Sequence, residues 1–207
     1  MKNIILLIAG IFILSGCGSD YTSLVKDGVF NDHKQTTVGG AFDAWQQCDM
    51  GVTWETFETD SGINLVEYNC TILETKKEFA KQTFTSWMES GNSSEQIDKN
   101  LKPQCAFQEN CNLTGDRYLR SLATPLNIVF QFTVNLDSSF DTTYVGVSMG
   151  SFDLDLSGLG TPGDFVDLVM SNLVLSDTTF DQIHTSIAMF VPDENLVNES
   201  KAEPFFK

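Results

Sequence analysis

The chain is poor in bases, in histidine and in proline. Twelve Lys and Arg stand against 28 Asp and Glu in 207 residues, a formal net charge of −16. So few cations exclude the phosphate neutralisation on which nucleic-acid binding depends, and electrostatic adsorption to anionic lipid as well. Only two histidines occur, His33 and His184, so a Ser-His-Asp set would have to use one of them. His33 falls in a polar lead-in and His184 opens a predicted strand, which places both at the surface or an edge. No G-x-S-x-G elbow is present, which removes the exposed serine of an α/β-hydrolase. The five cysteines contain no C-x-x-C pair and neither histidine lies near them in sequence. A structural zinc site therefore lacks its ligand spacing, and no metal is expected. The N-terminal apolar run "IILLIAGIFIL" has eleven residues, about half of the ~20 that a membrane-spanning helix needs.

What is present at the N-terminus is more specific. Lys2, the apolar run and then Leu14-Ser15-Gly16-Cys17 follow one another, a charged start, an apolar middle and a small-residue end, as in an export signal. The last four residues resemble the lipobox of bacterial lipoproteins. That resemblance implies cleavage before Cys17, removal of residues 1–16, and acylation of the Cys17 sulfur with palmitate-type chains. Gly18 follows the cysteine where Asp would favour inner-membrane retention, so the resemblance points to the outer membrane, with the domain in the periplasm or at the cell surface. Two or three acyl chains, at ~0.8 kcal/mol per buried CH₂, form a stable anchor. Loss of Lys2 moves the net charge to −17.

With Cys17 assigned to lipid, Cys48, Cys70, Cys105 and Cys111 remain. An even count in an oxidising compartment reads as two disulfides. Of the three connectivities, Cys48–Cys70 would join two regular elements and Cys105–Cys111 would close the small loop "CAFQENC".

The rest of the chain reads as a tether (17–35), an α+β domain (36–191) and a flexible tail (192–207). Within the tether, "SLVKDGVF" predicts a short strand. Val38, Ala41, Phe42, Trp45 and Cys48 recur at helical spacing behind Thr36 or Thr37 as N-cap, predicting a helix over 36–48. Two Val-, Thr- and aromatic-rich runs around "DSG" predict a hairpin, about 52–59 and 64–72. On its second strand Val66, Tyr68, Cys70 and Ile72 share the inward face. A helix is predicted over 74–91, a short one over 93–101, strands over 126–136, 142–156 and 184–191, and a helix over 161–174 with Pro162 at its first position. Local hairpins and grouped helices predict an α+β class: an antiparallel sheet with amphipathic helices on one face, stapled by disulfides. The sequence Val38-Gly39-Gly40-Ala41-Phe42 followed by Trp54-Glu55-Thr56-Phe57, Gly62 and Val66-Glu67 resembles small bacterial envelope lipoproteins, and this resemblance brings no activity with it.

Other motifs yield to simpler readings. "GLGTPG" (158–163) matches G-x-G-x-x-G, with Asp181 about twenty residues on. Pro162 interrupts the phosphate turn such a site needs, so the stretch reads as a loop feeding a capped helix, and no cofactor is expected. Asp153 with Asp155, and Asp164 with Asp167, could serve hydrolysis or calcium, but read as solvated acids. "DSSFDTT" (137–143) lacks the Gly and Glu of a calcium loop. Trp45, Trp54 and Trp87 fall on amphipathic elements and read as core. Phe205 and Phe206 stand alone in a polar tail, a candidate partner contact. These readings converge on a lipid-anchored, non-catalytic binding or scaffold module with an envelope protein partner. A carboxylate-dependent envelope hydrolase and a carrier of an apolar ligand are the alternatives.

Overall fold

Alternation of apolar and polar residues builds the sheet. In the computed structural model, which describes residues 20–89 and 113–197, with backbone alone at 80 and 83–89, five strands follow one another in an antiparallel meander. They are β1 (Val52–Glu58), β2 (Asn64–Ile72), β3 (Leu126–Val134), β4 (Phe140–Met149) and β5 (Phe152–Asp155). Sheet order follows chain order, which leaves β1 and β5 at the edges. Register stacks like residues: Trp54 pairs with Tyr68, Tyr68 with Phe130, and Phe130 with Val145. The face carrying them is dry, with Val66, Tyr68, Cys70, Ile72, Ile128, Phe130, Phe132, Val147 and Met149 all buried.

Among the described residues six helices lie on that side, α4 packed against α3 and α6: α1 (Tyr21–Asp27), α2 (Val38–Phe42), α3 (Glu74–Glu89), α4 (Gly115–Ala123), α5 (Pro162–Met170) and α6 (Asp177–Phe190). The five shorter ones all begin as polar caps dictate, α1 behind Asp20 and the others behind Thr or Ser. Thr37, Thr114, Thr161 and Ser176 each accept from a backbone N–H three residues on. The opposite face of the sheet is polar and laced across strands. Gln131 Nε2 donates to Glu67 at 2.8 Å, Asn69 Nδ2 to the same carboxylate at 2.9 Å, and Thr71 Oγ1 to Asn127 at 2.7 Å. The α+β architecture with helices on one face is therefore as the sequence predicts.

Phe42 organises the dry face. Its ring lies 4.9 Å from Tyr68, 5.0 Å from Phe130, 5.6 Å from Phe132 and 6.0 Å from Trp54, mostly edge to face, the geometry that ring quadrupoles favour. Its backbone carbonyl accepts the Tyr68 hydroxyl at 2.7 Å. Beside this contact the Sγ atoms of Cys48 and Cys70 are joined as a disulfide, with Cα atoms 5.1 Å apart. The predicted Cys48–Cys70 staple is thus in place. Cys17, Cys105, Cys111, Phe205, Phe206 and the helix expected over 93–101 lie outside the described residues.

Several local expectations are corrected. "SLVKDGVF" forms most of α1 and no strand: Asp20 caps the helix, accepting from Ser23 N at 3.0 Å, and Val25 is wholly buried. The chain is thus packed on the core well before residue 36. The helix expected over 36–48 stops at Phe42. Beyond it single turns continue, Trp45 N to Phe42 O and Cys48 N to Trp45 O, because Trp45 Nε1 and Gln47 are bound to the 172–175 loop instead. The strand expected over 142–156 breaks at Gly150, whose φ of 63° suits glycine, giving β4 and β5. The strand expected over 184–191 is the C-terminal half of α6. Its apolar positions Phe180, Ile183, Ile187 and Ala188 are all buried and have helical period, which the eight-residue run alone conceals. α4 has no counterpart among the expected elements. The presumed tail is packed as far as Val197, with Leu196 buried.

Removing the Phe42 ring empties the centre of the aromatic cluster. Phe42→Ala should cost about 3–5 kcal/mol, and Cys48→Ser with Cys70→Ser about 3 kcal/mol for a loop of this length, both read from urea unfolding.

Candidate functional site

The loop that leaves α1 carries His33 to the wall of a broad surface groove. Phe30 anchors the loop by packing edge-on against Phe140 at 5.6 Å. Successive turns then fix it: His33 N bonds Phe30 O at 3.0 Å, Thr36 N bonds His33 O at 3.3 Å, and Val38 N returns to Gly28 O at 2.9 Å. The groove, about 630 Å³, runs between this loop, residues 138–142 and the first turns of α5. His33 Nε2 lies 2.8 Å from Asp167 Oδ1 across it. Thr161 and Asp164 form a capping box that starts α5. One turn later Asp167 faces the groove while Phe165, Val166 and Val169 enter the core.

The opposite wall is the β3–β4 turn. Ser138 takes a left-handed conformation (φ 64°), and Asp137 accepts from both the backbone N–H and the hydroxyl of Ser139, at 3.0 and 2.6 Å. Those bonds hold the Asp137 carboxyl below its usual range. Asp141 accepts from Asn135 at 3.0 Å. The groove is thus lined by Asp32, Asp141 and Asp167 with one imidazole and no Lys or Arg. All three carboxylates are exposed, and the Asp167 side chain is 67% accessible. Ser139 Oγ is committed to Asp137. The His33–Asp167 pair, with two further carboxylates beside it, can bind and orient a polar or cationic group.

The buried ionisable groups lie elsewhere, among α3, α4 and α6. Lys76 is fully buried and donates to the carbonyls of Ser121 and Thr124, at the C-terminal end of α4. Arg117, also buried, donates to Ala188 O at 3.1 Å and to Val191 O and Asp193, closing the end of α6. Both cations sit where helix dipoles favour positive charge. His184 is wholly buried against the Phe180 ring at 4.8 Å, and neither ring nitrogen has a partner among the described residues. Desolvation, then the charge of Lys76, push the His184 imidazolium well below the usual histidine range; desolvation likewise lowers Lys76.

Measured against the sequence, both histidines are displaced inward. His33 is only 25% accessible and His184 is core. His33 and Asp167, 134 residues apart, share no local signal. Lys76 was legible as inward, since it lies three residues before Phe79 on one helix face; Phe79 in turn packs on Phe180 at 5.2 Å. Asp181 accepts the Tyr118 hydroxyl at 2.6 Å, and "GLGTPG" is the loop leading into the α5 cap. Asp153 and Asp155 are exposed on one face of β5. Trp45 is buried and Trp54 packs against the core. Among the described residues no group of three or more His, Cys, Asp or Glu could hold a metal ion.

His184 makes stability depend on pH. The unfolded imidazole binds a proton below about pH 6.5 while the folded one does not, so stability falls as pH drops through that value. The slope is about 1.4 kcal/mol per pH unit until the folded group also protonates. Urea unfolding from pH 7.5 to 5 should show this loss, and His184→Leu should flatten it.

No family model, curated protein or solved structure matches this chain.

Proposed function

We propose that the chain is an outer-membrane lipoprotein, anchored through acylated Cys17, whose domain is a non-catalytic binding or scaffold module in the envelope. The observation that carries this is the sequence Leu14-Ser15-Gly16-Cys17 behind its apolar run. The Cys48–Cys70 disulfide supports it, since such bonds persist in exported proteins. Among the described residues no helix is long and apolar enough to cross a membrane, so acyl chains supply the attachment in this reading.

The binding role is supported by the groove of His33 and Asp167. It is open and lined by acids, which suits a cationic group on an envelope protein partner: a lysine or arginine side chain would meet the exposed Asp32, Asp141 and Asp167. A carboxylate-dependent hydrolase would need one of these acids desolvated, and an apolar carrier would need an enclosed cavity.

Two experiments test this. Metabolic palmitate labelling should mark the chain and be lost in Cys17→Ser; acylation persisting in that variant would refute the anchor. Crosslinking in the native envelope, read by mass spectrometry, should capture a partner through basic residues. That capture should fall about tenfold in the doubly substituted Asp141→Asn, Asp167→Asn chain, the loss expected from ~1.4 kcal/mol of ion-pair coupling. No capture above background, or capture indifferent to those carboxylates, would overturn the binding role.

A further inference from the structure

The folded chain begins very close to Cys17. Asp20 is already fixed, its carboxylate accepting from Ser23 N at 3.0 Å and Ser23 Oγ at 2.6 Å. Only Gly18 and Ser19 separate it from the cysteine, a reach of at most about 11 Å from Cα to Cα. An acyl group on Cys17 therefore cannot hold the domain at a distance. The headgroup layer of one leaflet is itself about 5–8 Å deep, so the domain must rest on it.

The fold says which end rests there. α1 crosses the strands near one end of the sheet, from β1, where Thr22 Oγ1 lies 2.8 Å from Thr56 Oγ1, towards β4, where Gly28 abuts the Phe140 ring. The β1–β2 turn and the β3–β4 turn project from that same end, since Asn64 pairs with both Glu58 and Val134, and Val134 with Phe140. Three of the nine exposed large apolar side chains among the described residues lie there. Leu136 stands fully clear at the β3–β4 turn, Ile63 is 45% exposed at the β1–β2 turn, and Phe57 is 39% exposed beside it. Nothing local explains two aliphatic tips on turns otherwise made of Thr, Asn, Asp, Ser and Gly.

We infer that Leu136, Ile63 and Phe57 form a bilayer-contact surface, pressed into the interface of the anchoring leaflet by the short link to Cys17. This rests on the acyl-anchor reading above. Glu58, Asp60 and Asp137 at the same end exclude attraction by anionic headgroups. The link supplies proximity and the apolar tips supply contact, with their carboxylate neighbours left at headgroup level. The His33–Asp167 groove, walled by residues 138–142, then opens close to the membrane.

A diazirine-bearing amino acid placed at 63, 136 or 50 of the full chain, photolysed in the native envelope, tests this. Palmitate labelling is read on the same sample. Met50 is exposed at the far end of the sheet, ~27 Å away along the strands. Phospholipid adducts at 63 and 136 should exceed those at 50 by about tenfold, as the hydrocarbon lies below only the near end. Palmitate-labelled chains with equal adducts at all three sites, or with protein adducts alone at 63 and 136, would overturn the contact surface and leave the anchor standing. Chains without palmitate would overturn both.

Discussion

Phe42 is the residue on which the rest of the structure converges. A five-residue helix containing two glycines has almost no stability of its own. It persists because its last side chain is the lid of an aromatic cluster drawn from three strands, and because its last carbonyl receives the buried Tyr68 hydroxyl. That single placement sets the directions of two loops. Before α2, the 28–37 segment must return to Gly28 and so carries His33 to the groove. After α2, the chain is led in tight turns past Trp45 and Gln47 to the disulfide at Cys48. The groove is thus a by-product of how a weak helix is fastened to a strong sheet.

The same logic explains where charge has been taken inside. Chains this acidic place most carboxylates in water, and the described molecule does so. The two cations it buries, Lys76 and Arg117, are used to close the ends of α4 and α6, where unsatisfied carbonyls would otherwise stand in the core. They are structural fasteners. The described surface is consequently negative, and the groove lining is an instance of it.

The sheet was legible because its signal is local and strict. Val66, Tyr68, Cys70 and Ile72 alternate with polar residues, and a two-residue period admits one reading. The staple from Cys48 to Cys70 followed from the same alternation. Helices fared worse where tertiary contacts overrule spacing. The 36–48 segment has helical period throughout, yet Trp45 finds its partner in the Leu173 carbonyl, 128 residues on. "HTSIAMFV" has strand composition, and the helix shows only in a longer window, from the cap at Ser176 and the spacing of Phe180, Ile183 and Ile187. The groove was hidden for a plainer reason: His33, Asp141 and Asp167 come from three separate stretches that only the folded sheet brings together.

The disulfide has a consequence for how the hairpin finds its pairing. Cys70 faces the helices only in registers shifted by an even number of residues. A shift of one would turn its sulfur to the polar face, with the whole sheet between it and Cys48. A shift of two would carry it ~7 Å along the strand, beyond the Cα separation a disulfide tolerates. Oxidation of the two thiols therefore proofreads strand alignment. Among chains whose hairpin has formed, the native register, with Val52 opposite Cys70, is the one that brings the sulfurs within reach, and closure then forbids the slip.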